Sequence, residues 1–339
     1  MAAQQLTVAV TGPTGDLGIA LVSALERSRR VKRVIGMARR PFDPSSMGWR
    51  KTEYRQGDVQ DRRSVRDAVR GADVVVHLAF SILSSGSATR SINVDGSRRV
   101  FEAALEAGAE RLCYASSVAA YGFHRDNPDR LDEDVPPRGT PASYYSQHKA
   151  EVEDILARLM LRTDRARAYI FRPCIVAGPK AQALIDEIPY TRVAEALPEP
   201  VRRGLSALPG LRPVLPDPGL PFQMVHEDDV ASAFVAGVLA KGPPGPYNLA
   251  GNGAVTMGDL ADALGWYTVP VPSLAVDAVA ELVARAPLVP EVASMIEAAR
   301  KPVLMTTRRA RHELGWKPKY TSKQTLRELV RGHRRSEAS

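Results

Sequence analysis

Short apolar runs alternate with stretches of helical spacing through the first half of the chain. Residues 6–10, 34–38, 74–79, 111–115 and 168–171 are runs of strand length. Val74-Val75-Val76 is continuously apolar, as a strand covered on both faces should be. Between these runs, residues 17–28, 64–69, 94–107 and 143–161 repeat apolar positions at helical spacing. Strand and helix in regular alternation predict parallel strands, right-handed crossovers and helices on both faces. The expected fold class is therefore α/β, a doubly wound parallel sheet.

After Arg172 the texture changes. Residues 187–221 contain Pro189, Pro198, Pro200, Pro209, Pro213, Pro216, Pro218 and Pro221. Such a density of proline excludes a long helix or a central strand and predicts loop with short helical pieces. Regular pattern resumes as a strand at 222–226, a helix at 228–240 and a short strand at 247–250. Helical segments follow at 257–264, 276–284 and 291–299, then a segment at 306–314 and a last helix at 323–330. The expected organisation is a dinucleotide-binding domain over 1–175, to which 222–250 return. A smaller, discontinuous substrate-capping domain takes 176–221 and 251–335, and 336–339 form a disordered tail. No internal repeat is present.

Composition narrows the setting. Of 339 residues, 44% are hydrophobic and 25% charged, the balance of an ordinary soluble globular chain. The start, Met-Ala-Ala-Gln-Gln, has no basic leader region, and no apolar run approaches the ~20 residues of a membrane span. Cys113 and Cys174 lie in apolar stretches without His or Cys neighbours, so neither a metal site nor a disulfide is expected. These features point to a cytoplasmic protein with no membrane partner. Lys and Arg number 46 against 38 Asp and Glu, a net charge of +8. The basic residues are scattered, densest in the tail at 331–335, and lack interleaved aromatic residues, which speaks against nucleic acid. An anionic cofactor or substrate accounts for the charge more economically. A homodimer is left open.

The first chemical motif is Thr11-Gly12-Pro13-Thr14-Gly15-Asp16-Leu17-Gly18, directly after the first strand and opening the first helix. Glycines at such a junction serve a tight turn, close backbone approach to a pyrophosphate and close helix–strand packing. The helix N-terminus adds free N–H groups and a favourable dipole. The spacing Thr-Gly-x-x-Gly-x-x-Gly resembles the extended, epimerase/dehydratase-like branch of the short-chain dehydrogenase/reductase superfamily, and the resemblance runs from Leu6 to about Val330. It implies that Gly12, Thr14, Gly15, Asp16, Leu17 and Gly18 cradle a nicotinamide dinucleotide. Gly57-Asp58-Val59 matches the family's acid beside the adenine, and His77-Leu78-Ala79 matches the strand end under the nicotinamide ribose. Asn93-Val94-Asp95-Gly96 matches the opening of its fourth helix.

An acid about 20 residues beyond the glycines would bind the ribose 2′-hydroxyl of NAD. Here the second strand ends in Gly36-Met37-Ala38-Arg39-Arg40, without an acid. Two guanidinium groups suit a 2′-phosphate, so NADP is expected, with NAD the alternative. Asp43, followed by Pro44, lies too far along to substitute.

Tyr145-Ser146-Gln147-His148-Lys149 supplies the proton chemistry. Residues four apart share a helix face, and an ammonium beside a phenol favours phenolate. Tyr144 has His148, not a lysine, at that spacing. Upstream, Ala115-Ser116-Ser117-Val118 follows the fifth strand, and Ser117 matches the family's serine that hydrogen-bonds the substrate oxygen. The resemblance gives Lys149 a second role, on the nicotinamide ribose.

Two departures from the family pattern shape the expected chemistry. Val118 and Ala119 stand where the family's dehydratases carry an acidic pair. Phe222 stands where its nucleotide-sugar epimerases hold a diphosphate-binding arginine, four residues before His226, itself read as structural. The expectation is an NAD(P)-dependent oxidoreductase acting on a carbonyl or secondary alcohol of a small molecule. The rivals are an NAD-dependent sugar epimerase and a non-catalytic dinucleotide sensor.

Overall fold

The computed structural model describes residues 5–81, 87–141, 143–181, 183–186, 213–271 and 302–337. The expected helices at 276–284 and 291–299, and most of the proline-rich stretch, lie outside the described residues. The strands are β1 (Leu6–Thr11), β2 (Val31–Ala38), β3 (Thr52–Gln56), β4 (Val74–His77), β5 (Arg111–Ala115) and β6 (Arg167–Pro173). Then come β7 (Ile175–Ala177), β8 (Val214–Asp217), β9 (Met224–His226), β10 (Gly245–Leu249) and β11 (Tyr267–Pro270). Seven of them form one parallel sheet in the order β10-β6-β5-β4-β1-β2-β3. Chain direction across the sheet reverses between β1 and β4, which opens a crevice at their carboxyl ends.

Both faces of the sheet are covered, and alternate residues of one strand serve different cores. Val8 and Val10 of β1 join Leu21, Leu25, Phe171 and Phe234 on one side. Ala9 joins Ile35, Val75, Phe101, Leu112 and Leu156 on the other. The first side is roofed by helix α1 (Asp16–Arg27). The opposite side carries α2 (Arg62–Val69), α3 (Gly96–Glu106) and α4 (Tyr144–Met160). Helix α5 (Glu227–Val238) returns to pack against α1. The parallel doubly wound sheet expected from the alternation is borne out.

Three local differences have physical causes. β3 is absent from the apolar pattern because it is an edge strand, Thr-Glu-Tyr-Arg-Gln, whose Glu53 pairs with Arg33 and Arg55. Charges on an edge strand oppose further strand addition. β8 contains Pro216 and, among the described residues, pairs with β11 alone, in a two-stranded ladder where a missing N–H is tolerated. The last helix spans Ser322–Glu337, so Ser336 and Glu337, read as tail, are helical. Its Leu326, Leu329 and Val330 bury themselves against Met224 and Ala177, and Arg334, beyond the expected 323–330, donates to the Ala263 carbonyl oxygen at 2.9 Å.

Candidate active site

The loop after β1 is shaped by two glycines. Gly12 has φ +75, and a Cβ there would meet the Ala79 nitrogen at 3.0 Å. The loop therefore lies directly on Leu78 and Ala79, whose N–H groups donate to the Thr11 carbonyl and hydroxyl oxygens. Gly15 is the opposite case. A Cβ on it would find only the Gly12 carbonyl oxygen, at 3.9 Å, and otherwise open space. Gly15 is the N-cap of α1 and offers no side chain to the free N–H groups. Thr14, Gly15 and Asp16 are exposed at this mouth, Leu17 is half-buried and Gly18 is packed beneath the loop. This is a cradle into which a pyrophosphate fits: open space, backbone donors and a helix dipole coincide.

Ser117, Tyr145 and Lys149 converge at the carboxyl end of β5. Ser117 caps a short turn, its Oγ accepting from the Ala119 N–H at 3.2 Å. α4 starts at Tyr144 because Ser143 caps it, which sets Tyr145 and Lys149 on the face turned toward β5. Lys149 is 3% exposed; its Nζ donates to the Ala115 carbonyl oxygen at 2.6 Å and sits 3.6 Å above the Phe80 ring. The Nζ lies 5.7 Å from the Tyr145 ring centre. Burial pulls Lys149 down to about 7, against the opposing pull of Glu153.

Tyr145 behaves differently from the sequence expectation. Burial raises its pKa above the usual phenol value, and a hydrogen bond with the Ser117 hydroxyl pulls it back. The ammonium does not lower it here, because Lys149 is directed at Ala115 and Phe80. Desolvation outweighs the helix-face pairing. Tyr144 faces His148, with ring centres 5.8 Å apart, and stays outside the set.

Several further residues support this set; His77 and Asn93 belong to motifs already noted, while Phe80, Glu153 and Glu227 do not. His77 bridges Thr11 Oγ1 at 2.7 Å and Ser97 Oγ at 2.8 Å, tying the glycine loop to α3. Burial foremost, then the Lys149 charge, lowers its pKa to about 3, so the ring is neutral. Phe80 touches both Lys149 and Tyr145. Asn93 holds Ser81 at both backbone atoms. Glu153 was legible in principle, since it lies one helical turn beyond Lys149. Glu227 could not have been found from spacing: it is buried, its Oε2 has no hydrogen-bond partner, and burial raises its pKa to about 7 against the pull of Lys180.

The region expected to meet the adenosine is less constrained. Arg39 and Arg40 leave β2 exposed, and the Arg39 carbonyl oxygen accepts from Gln56 Nε2 at 3.3 Å. Asp58 is half-buried, accepting from the Gln60 N–H at 2.9 Å. Val59 is 5% exposed and packs close to Gly96, a core role. Asp43 is occupied by Ser45, whose hydroxyl and N–H hold its carboxyl below the usual range. His226 is structural, accepting from the Asp228 N–H and stacked 3.9 Å from Tyr320. Both cysteines are buried and free. Among the described residues, no His, Cys, Asp and Glu cluster could hold a metal, and no helix is long and apolar enough to cross a membrane.

A model of the NAD-dependent epimerase/dehydratase family matches residues 8–250. An uncharacterized protein of Sinorhizobium fredii is 28% identical over 98% of this chain and 80% of its own. Sterol demethylase protein B of Methylococcus capsulatus is 32% identical over 51% of this chain and 52% of its own. A crystal structure of a short-chain dehydrogenase/reductase superfamily protein from Agrobacterium tumefaciens, with bound NAD, shares the fold. It has a TM-score of 0.70 at 21% identity, over 98% of both chains.

Proposed function

The chain belongs to the NAD-dependent epimerase/dehydratase family, and on that footing we propose that it exchanges a hydride with a carbonyl or secondary alcohol of a small molecule. It is an enzyme of the extended short-chain dehydrogenase/reductase type. The observation that carries the reaction class is the meeting of Ser117, Tyr145 and Lys149 beside the glycine cradle.

Gly12, Thr14, Gly15, Asp16, Leu17, Gly18, Leu78 and Ala79 would hold a nicotinamide dinucleotide, which when bound would supply or accept the hydride. The chain's own work is proton transfer and charge stabilisation. Tyr145 gives its phenol proton to the carbonyl oxygen as charge develops there, and takes it back in the reverse direction. Its raised pKa keeps it protonated at neutral pH, ready for reduction. Ser117 donates a second hydrogen bond to the same oxygen. Lys149 lies one helical turn from Tyr145, where its ammonium would hold the ribose hydroxyls of a bound dinucleotide. Phe80 and Tyr114 keep this corner dry, which strengthens each of these interactions.

The finer reading is NADP. It rests on the absent acid at the end of β2 and on the exposed Arg39 and Arg40, whose guanidinium groups suit a 2′-phosphate. A second reading is an epimerase that withdraws and returns the hydride with NAD retained. The NAD bound to the Agrobacterium tumefaciens protein favours it. Mass spectrometry of the nicotinamide that co-purifies, followed by fluorescence titration with NADPH and NADH, separates the two. An empty or NADP-loaded site with tighter NADPH binding supports the reductase; tightly held NAD supports the epimerase. Binding of neither dinucleotide would remove both.

A further inference from the structure

Behind the Tyr145 and Lys149 pair lies a buried ionic group that the proposed reaction leaves unused. Tyr145, Lys149 and Glu153 follow one another at single-turn spacing on α4. Glu153 is 3% exposed. Its Oε1 accepts from the Ser116 hydroxyl at 2.5 Å, and Ser116 is the residue next to Ser117. Arg172, at the end of β6 and also 3% exposed, grips the same carboxylate with Nε at 3.0 Å and Nη2 at 2.6 Å. The guanidinium in turn lies 4.6 Å over the Tyr121 ring. One residue earlier on β5, the Ala115 carbonyl oxygen receives the Lys149 ammonium. Ala115, which ends β5, and Ser116, which follows it, are thus fastened to adjacent turns of α4 by Lys149 and Glu153.

We propose that Glu153 and Arg172 form a positioning pair whose opposed charges balance the field at Lys149 and which fixes the Ser116–Ser117 segment beside Tyr145. The proposal rests on the catalytic reading of Tyr145 and Lys149. A buried ion pair is weak as a source of stability, and a carboxylate placed one turn from a buried ammonium is a costly arrangement for packing alone. Its value lies in the field at Lys149. The groups facing that ammonium are Glu153 and Tyr145 on its own helix, neutral His77 from β4, and Tyr114 and the Ala115 carbonyl from β5. The Phe80 ring covers it from the loop after β4, and Arg172 acts from β6 through Glu153. Glu153 is the anion among them. Removing its charge leaves the ammonium facing an unbalanced guanidinium; removing the guanidinium leaves it facing an unbalanced carboxylate. The two removals push Lys149 in opposite directions.

The test is the affinity for NADH, read by nicotinamide fluorescence from pH 6 to 10, because ribose binding needs the ammonium. Affinity falls as pH rises through the Lys149 titration. Glu153→Gln should move that fall about one pH unit lower, and Arg172→Gln should move it higher. The double variant Glu153→Gln/Arg172→Met removes both charges at similar volume and should return it close to wild type; it also serves if a single variant does not fold. Shifts of one sign in both single variants, no shift, or a double variant displaced by a full unit would overturn the pair's role. Wild-type protein that binds no NADH at any pH would instead overturn the catalytic reading on which it rests.

Discussion

The two ends of the candidate cofactor site are built by different rules. At the nicotinamide end, Lys149 is 3% exposed and its neighbours His77 and Glu153 are 1% and 3% exposed. Each has its hydrogen bonds made within the protein: Lys149 to Ala115, His77 to Thr11 and Ser97, Glu153 to Ser116 and Arg172. At the adenosine end, Arg39 and Arg40 are exposed, and among the described residues neither guanidinium is paired with a carboxylate. Buried, hydrogen-bonded groups hold one geometry and act at full strength in a low dielectric. Exposed arginines act through screened charge and can be exchanged at little cost to the fold. On the proposed reading, chemistry is committed at one end, while the choice between dinucleotides is left adjustable at the other.

If that contrast holds, the cradle joining the two ends should be the least tolerant point. Gly15→Val places a branched side chain in the open space before the α1 N-terminus. It should abolish dinucleotide binding without lowering the melting temperature, checked by fluorescence titration beside thermal unfolding. Retained binding would place the cradle elsewhere. Tyr145→Phe removes the proton donor and leaves the ring contact with Phe80. Turnover should fall ~10²–10⁴-fold with cofactor affinity nearly unchanged. Normal turnover would end the proposed proton route.

His77 sharpens the comparison from the side of stability. Its pKa is lowered to about 3 in the folded protein, first by burial and then by the Lys149 charge. The unfolded imidazole takes its proton near pH 6.5, so between about 6.5 and 3 the unfolded state binds more protons. Stability should therefore fall as pH drops through this window, by up to ~1.4 kcal/mol per pH unit from this group. Urea unfolding at several pH values should show a shallower acid slope for His77→Asn than for wild type. Equal slopes would show that carboxylates alone set the acid sensitivity. The smallest effect belongs to the exposed end. Arg39→Ala with Arg40→Ala should weaken NADPH about tenfold, by loss of charge-assisted hydrogen bonds, and barely change NADH. Equal loss of both dinucleotides would contradict the NADP reading.

The same contrast explains what could be read from the chain. Strands buried on both faces have to be continuously apolar, so β1, β4 and β5 stand out as Leu-Thr-Val-Ala-Val-Thr, Val-Val-Val-His and Arg-Leu-Cys-Tyr-Ala. β3 has one neighbour and a charged face, and its Thr-Glu-Tyr-Arg-Gln carries no such mark. Among site residues, Tyr145 and Lys149 were legible because helical spacing puts both on one face. Glu153 obeys the same rule, but its role depends on Arg172 and Ser116, which only the sheet brings to it. Phe80 meets the site through packing between elements distant in sequence, which no local pattern encodes, and the bridge His77 makes from Thr11 to Ser97 likewise needed the fold although its motif was visible. The Tyr145 pKa misled for a related reason: helix spacing gave its charged neighbour but not its burial.

The most direct test of the central claim is the fate of deuterium carried at the reactive carbon of NADPH or NADH. Wild-type protein would be incubated with each labelled dinucleotide and a panel of small ketones, aldehydes and sugar derivatives, and the products examined by mass spectrometry and proton NMR. The account predicts deuterium on the carbinol carbon of at least one product, delivered to a single face. Firm dinucleotide binding with no label transferred to any member of a broad panel would contradict it, and would leave the chain as a dinucleotide sensor.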